Sequence, residues 1–83
     1  MTQATRQTVP INKNVREALE EYFEKLDGHK VTNLYKMVLK EVEIPLFKAV
    51  MKYTKNNQTC AATMLGLNRG TLRKKLKDYK LEN

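Results

Sequence analysis

The chain has 83 residues, a formal net charge of +7 and a single cysteine. That length holds one small domain, and a domain so small buries only about 60% of the surface its unfolded chain exposes, so a second subunit would help it. Lone Cys60 excludes an internal disulfide and fits a reducing cytoplasm, residues 1–10 lack the apolar core of a signal peptide, and no apolar run reaches transmembrane length.

The charge is unevenly shared. Residues 1–54 carry nine basic and seven acidic side chains, whereas residues 55–83 carry seven basic and two acidic ones. A local basic excess of this kind is the footprint of an anionic partner rather than of general solubility.

Residues 1–9, MTQATRQTV, are small and polar without periodicity and read as a flexible N-terminal tail. Pro10 suits the first turn of a helix. Val15, Ala18, Leu19, Tyr22, Phe23 and Leu26 then recur at helical spacing, and Gly28 is placed to stop the helix. Asn14 with Glu17 forms an alternative cap pair one turn later. The acidic Glu17, Glu20, Glu21 and Glu24 fall on the polar side, a solvated face.

A second, longer helix is expected over residues 33–53, capped by Thr32 or Asn33. Leu34, Tyr35, Val38, Leu39, Val42, Leu46, Ala49, Val50 and Tyr53 give it a broad apolar stripe. Pro45 lies inside it and removes the backbone bond to Glu41, so a kink is expected there. Tyr22, Phe23 and Tyr35 read as core residues, and Met37, Met51 and Met64 as adaptable filler. At about 30 Å the long helix exceeds what one small chain needs to cover its own core. Pairing with a second copy follows from that surplus.

The C-terminal third reads helix, tight glycine turn, helix. Asn57 can cap a short helix over about 58–65 with Ala61, Ala62 and Leu65 inward, Gly66 ends it, and Asn68 caps a last helix from about 69 to 79 with Leu72 and Leu76 inward. In a helix-turn-helix the second helix enters the major groove by its N-terminal end, here Asn68, Arg69, Thr71 and Arg73. Arginine spans two acceptors on a guanine edge, and asparagine spans the donor and acceptor of adenine. Lys74, Lys75 and Lys77 spread around the same helix within reach of phosphates, and the helix start at Asn57 and Thr59 offers free N–H groups to another.

These residues resemble a known family. NQTCAATMLGLNRGTLRKKLKDY (residues 57–79), continued upstream by LYKMVLKEVEIPLFKAVMKYTKNNQT (residues 34–59), is similar to the factor-for-inversion-stimulation family (Fis), from about Pro10 onward. The resemblance implies an all-α fold of four helices per chain. Residues 10–54 form two dimerisation helices, and residues 55–83 form the helix-turn-helix DNA-binding unit. It further implies a homodimeric, sequence-tolerant DNA-binding and DNA-bending protein, associated with the nucleoid in the cytoplasm and regulating transcription, with RNA polymerase as a further candidate partner. By that likeness Asn68, Arg69 and Arg73 face base edges. Asn57, Thr59, Thr71, Lys74 and Lys75 hold the backbone, and Lys77 serves the flank. Two positions depart from the family pattern: Cys60 stands where arginine is common, losing a phosphate contact, and Asp78 stands where a basic residue is usual. The family's β-hairpin arm, through which it activates DNA invertases, needs more chain than the nine residues before Pro10, so that activity is expected to be absent or feeble.

The competing reading is a dimeric basic helical protein that docks anionic membranes or acidic proteins. A surface-lying helix would need bulky apolar groups free beside its lysines. No nucleophile–base set, phosphate-cradling loop or paired catalytic carboxylates stand out, and His29 has no companion ligands. Neither enzymatic activity, a small-molecule substrate, a cofactor, a metal nor a membrane partner is expected.

Overall fold

The structure, a computed structural model, describes residues 10–82, so the expected tail lies outside the described residues. It contains four α-helices, α1 (Ile11–Leu26), α2 (Leu34–Tyr53), α3 (Gln58–Leu65) and α4 (Arg69–Asp78). This is the all-α order expected from the apolar spacing. The chain divides into two units after Thr32.

In the first unit, α1 starts directly after Pro10, with Asn14 N–H donating to the Pro10 carbonyl at 3.0 Å. The alternative cap at Asn14 and Glu17 is therefore not used: Pro10, with its fixed φ, begins the helix a turn earlier. Its end is marked by Asp27 and Gly28, both with positive φ (52° and 82°). Val15, Leu19, Tyr22 and Leu26 are partly buried, at i, i+4, i+7 and i+11, whereas Ala18 and Phe23 are exposed.

In the second unit, α2 runs without a break through Pro45. Asn33 occupies its N-cap position but in a left-handed conformation (φ 59°), and its side chain makes no cap bond. An effective cap needs extended backbone there, so the expected cap at Thr32 or Asn33 does not form. The core lies where α2 meets the last two helices. Phe47, Val50 and Met51 from α2, Ala61 and Ala62 from α3, and Leu72 and Leu76 from α4 are all buried. Leu65, Leu67, Tyr79 and Leu81 pack around them. The core thus runs across residue 54, where the sequence suggested a boundary. Alanines at 61 and 62 let α3 approach its neighbours closely, while Leu72 (0% exposed) and Leu76 (1%) fill the space from the other side.

Not every apolar position is covered. Tyr35 is 78% exposed, Tyr53 76% and Phe23 48%, and Leu39, Val42 and Leu46 are also exposed. The expectation that Phe23 and Tyr35 belong to the core therefore fails within one chain, as does filler status for exposed Met64. The exposed large apolar residues of α2, with Ala49, fall at positions 35, 39, 42, 46, 49 and 53, alternating steps of four and three. That alternation is the spacing of a helix-packing seam.

Candidate nucleic-acid interface

The turn between α3 and α4 is built by three local devices. Asn57 has extended backbone, and its Oδ1 accepts from Cys60 N–H at 3.0 Å, satisfying one of the free donors at the start of α3. At the other end Gly66 takes φ 74°, and Leu67 N–H donates back to the Ala62 carbonyl at 3.0 Å. This is the glycine-terminated helix end in which a side chain would be strained. Asn68 then repeats the first device, its Oδ1 accepting from Thr71 N–H at 2.8 Å. Within three residues the chain stops one helix and starts the next.

On this frame Asn57, Thr59, Asn68, Arg69, Arg73, Lys74 and Lys77 are all exposed. Arg69, Arg73 and Lys77 succeed one another at i, i+4 and i+8, forming one strip along α4. Arg69 and Arg73 line a hollow of about 480 Å³ that Asn56 and Gln58 also border, which brings the start of α3 beside the arginines. A second hollow, of about 440 Å³, continues from Arg73 past Gly70 to Lys74 and Lys77. Basic side chains therefore run from beside the α3 start to the end of α4, with acidic Glu82 bordering both hollows. Asp78, the acidic departure in this strip, pairs with Lys74 at 3.4 Å, both being well exposed. Such a pair is worth only about 0.3–0.5 kcal/mol and yields readily to a phosphate. Cys60 is exposed and free.

Two expected contact residues stand apart. Thr71 is partly buried, its N–H committed to the Asn68 cap. Lys75 is turned inward and binds Glu43 of α2 at 3.2 Å. The same Glu43 oxygen accepts from the Tyr79 hydroxyl at 2.6 Å. Glu43 was missed in the sequence reading: it stands one helical turn before Phe47, on the side of α2 that becomes buried, and no local pattern marks that side.

Asn68 has one duty in the structure, its Oδ1 capping α4, and a second expected from the sequence, the reading of an adenine edge by its carboxamide. Asn68→Ala should lower stability by about 1 kcal/mol through loss of the cap. Asn68→Ser should restore the cap and the stability without restoring base preference. Thermal melts beside binding to a panel of single-base-pair variants separate the two duties. If serine restored both, the carboxamide would read nothing.

No helix among the described residues is long and apolar enough to cross a membrane. Residues 38–79 match the family model described as bacterial regulatory protein, Fis family. The chain is 59% identical over 70 residues to the DNA-binding protein Fis of Actinobacillus succinogenes, covering 84% of this chain and 71% of that protein. It is 54% identical over 77 residues to the DNA-binding protein Fis of Mannheimia haemolytica, covering 93% and 79%. The protein of the same description from Yersinia enterocolitica is 57% identical over 70 residues, covering 84% and 71%.

Proposed function

The chain belongs to the Fis family of bacterial DNA-binding regulators, and on that premise we propose that it works as a homodimer. In this reading the dimer binds duplex DNA with loose sequence preference, bends it, and regulates transcription as part of the nucleoid. The observation that carries this is the exposed strip Arg69, Arg73 and Lys77 on a helix whose other side, Leu72 and Leu76, is fully engaged in the core. A helix fixed by one side and basic on the other fits a major groove about 12 Å wide. Asn68, Arg69 and Arg73 take the base edges. Asn57, Thr59, Thr71 and Lys74 take phosphates, with Lys77 at the flank. RNA polymerase fits as a further partner of a DNA-bound regulator.

Engagement of Leu72 and Leu76 also weighs against docking to membranes, since α4 has no bulky apolar residue left to insert beside its lysines. Dimerisation is supported by the uncovered seam of α2, whose tyrosines and aliphatic residues would otherwise face water. Two such chains would present two copies of α4. If these enter successive major grooves, they lie about 34 Å apart along the duplex, and a spacing shorter than that requires the DNA to curve toward the protein.

A mobility-shift series with circularly permuted duplex probes tests this reading. Binding should weaken steeply with salt, and mobility should depend on where the site sits in the probe. Position-independent mobility would remove bending, and salt-independent binding would remove the phosphate contacts. For the dimer, sedimentation at micromolar concentration should show twice the chain mass, and a folded monomer would contradict it.

A further inference from the structure

One carboxylate joins α2 to α4. Glu43 Oε1 accepts from both Lys75 Nζ (3.2 Å) and Tyr79 Oη (2.6 Å), residues 32 and 36 positions away in sequence. The Glu43 side chain is 15% exposed and that of Lys75 34%, whereas the Lys74–Asp78 pair is 77% and 55% exposed. The placement follows from helical spacing. Leu72, Lys75, Leu76 and Tyr79 sit at i, i+3, i+4 and i+7, which is the side of α4 that packs on the core. Lys75 is thus the lysine of α4 that lies on its inner stripe, with its ammonium delivered to a partly buried anion.

Drawing that ammonium out to a phosphate would leave Glu43 partly desolvated without a counter-charge. Removing one partner of such a pair costs far more than breaking a solvated one. Lys74 carries no comparable penalty, because its partner Asp78 stays hydrated.

We propose that Glu43 withholds Lys75 from the DNA: Lys75 is a positioning residue that fixes how α4 sits on α2, and the phosphate contacts of α4 come from its other basic side chains. This rests on the DNA-binding reading. It predicts that one acidic residue outside the helix-turn-helix sets how many cations the recognition helix presents.

The test is the slope of log affinity against log salt for duplex binding by the wild type, Lys75→Met, Glu43→Gln and the double variant. Lys75→Met should keep the wild-type slope. Glu43→Gln frees the lysine and should steepen the slope by about 0.9, the value for one added phosphate contact. The double variant should return to the wild-type slope, which shows that the added contact is made by Lys75. A slope flattened by about 0.9 in Lys75→Met, or left unchanged in Glu43→Gln, overturns the proposal.

A DNA-free reading accompanies it. Tyr79 is raised above its ordinary value of 10.0, first by the hydrogen bond to Glu43, then by burial, then by the charges of Glu43 and Asp78. In an alkaline absorbance titration the Tyr79 phenol should ionise above its ordinary value, and in Glu43→Gln it should move back down toward it. The phenol donates only when protonated, so the stability from this bond is full below pH 10 and is lost as pH rises through the elevated value. A Tyr79 that ionises at the ordinary value in the wild type would overturn the cluster while leaving DNA binding intact. A wild type that binds no duplex while Tyr79 still titrates late would instead bring down the DNA reading, and the proposal with it.

Discussion

Phe47→Ala should cost about 3–5 kcal/mol of folding stability, the range for removing a large aromatic from a closed core. Phe47 is 2% exposed, and its ring lies 6.2 Å from that of Tyr79. It is the largest side chain that α2 commits to the contact with α3 and α4, and the core it fills holds six other buried residues. Stabilities of about 0.05–0.15 kcal/mol per residue are usual, so a chain of 83 residues has about 4–12 kcal/mol in total. The substitution therefore removes a large share. Urea denaturation followed by far-ultraviolet circular dichroism reads it directly, with Phe47→Leu as the milder control expected to cost less than about 1.5 kcal/mol. DNA binding should fade along the same transition, because this core carries the apolar contacts that hold α4 in place. A loss below 1 kcal/mol would mean that α2 does not support the helix-turn-helix in the way described.

Arg69→Ala and Arg73→Ala should each weaken binding to a preferred site by about 1–3 kcal/mol per contact, while leaving thermal stability near the wild-type value. Both guanidinium groups stand on the exposed side of α4 and take no part in the buried core. Each loss should also relax preference at one base pair of a half-site. Lysine should rescue neither fully, since a single ammonium cannot reproduce a two-pronged contact to guanine. Competition between preferred and scrambled duplexes measures the effect as a ratio. Equal weakening on both duplexes would reassign that arginine to the phosphates.

The devices that shape the interface were legible in the sequence because each is local. Asn57, Gly66 and Asn68 act over three to five residues, and the bounds of α3 agree with their spacing. Local reading failed where two local signals competed. Asn14 with Glu17 is a plausible cap, but Pro10 had already started the helix. Asn33 is a good capping residue, but its backbone adopts a conformation that does not cap. The apolar stripe of α2 was visible as periodicity. What periodicity could not divide was its two sides: Phe47, Val50 and Met51 meet α3 and α4, whereas Tyr35, Leu39, Val42 and Leu46 stay uncovered in one chain. Both sides are equally hydrophobic, and only the folded path of the chain separates them. Lys75 shows the remaining gap. In sequence it is one more lysine in a basic run, and its partner Glu43 lies 32 residues away, beyond the reach of any local pattern.

The central claim is that α4 reads guanine from the major groove with Arg69 and Arg73. The most direct measurement replaces guanine by 7-deazaguanine at one position after another within a preferred duplex site, removing a major-groove acceptor while base pairing is retained. At one position in each half-site, affinity for the wild-type protein should fall severalfold, and at that position the variant of the reading arginine should show no further loss. Undiminished wild-type affinity at every substituted guanine would contradict the account.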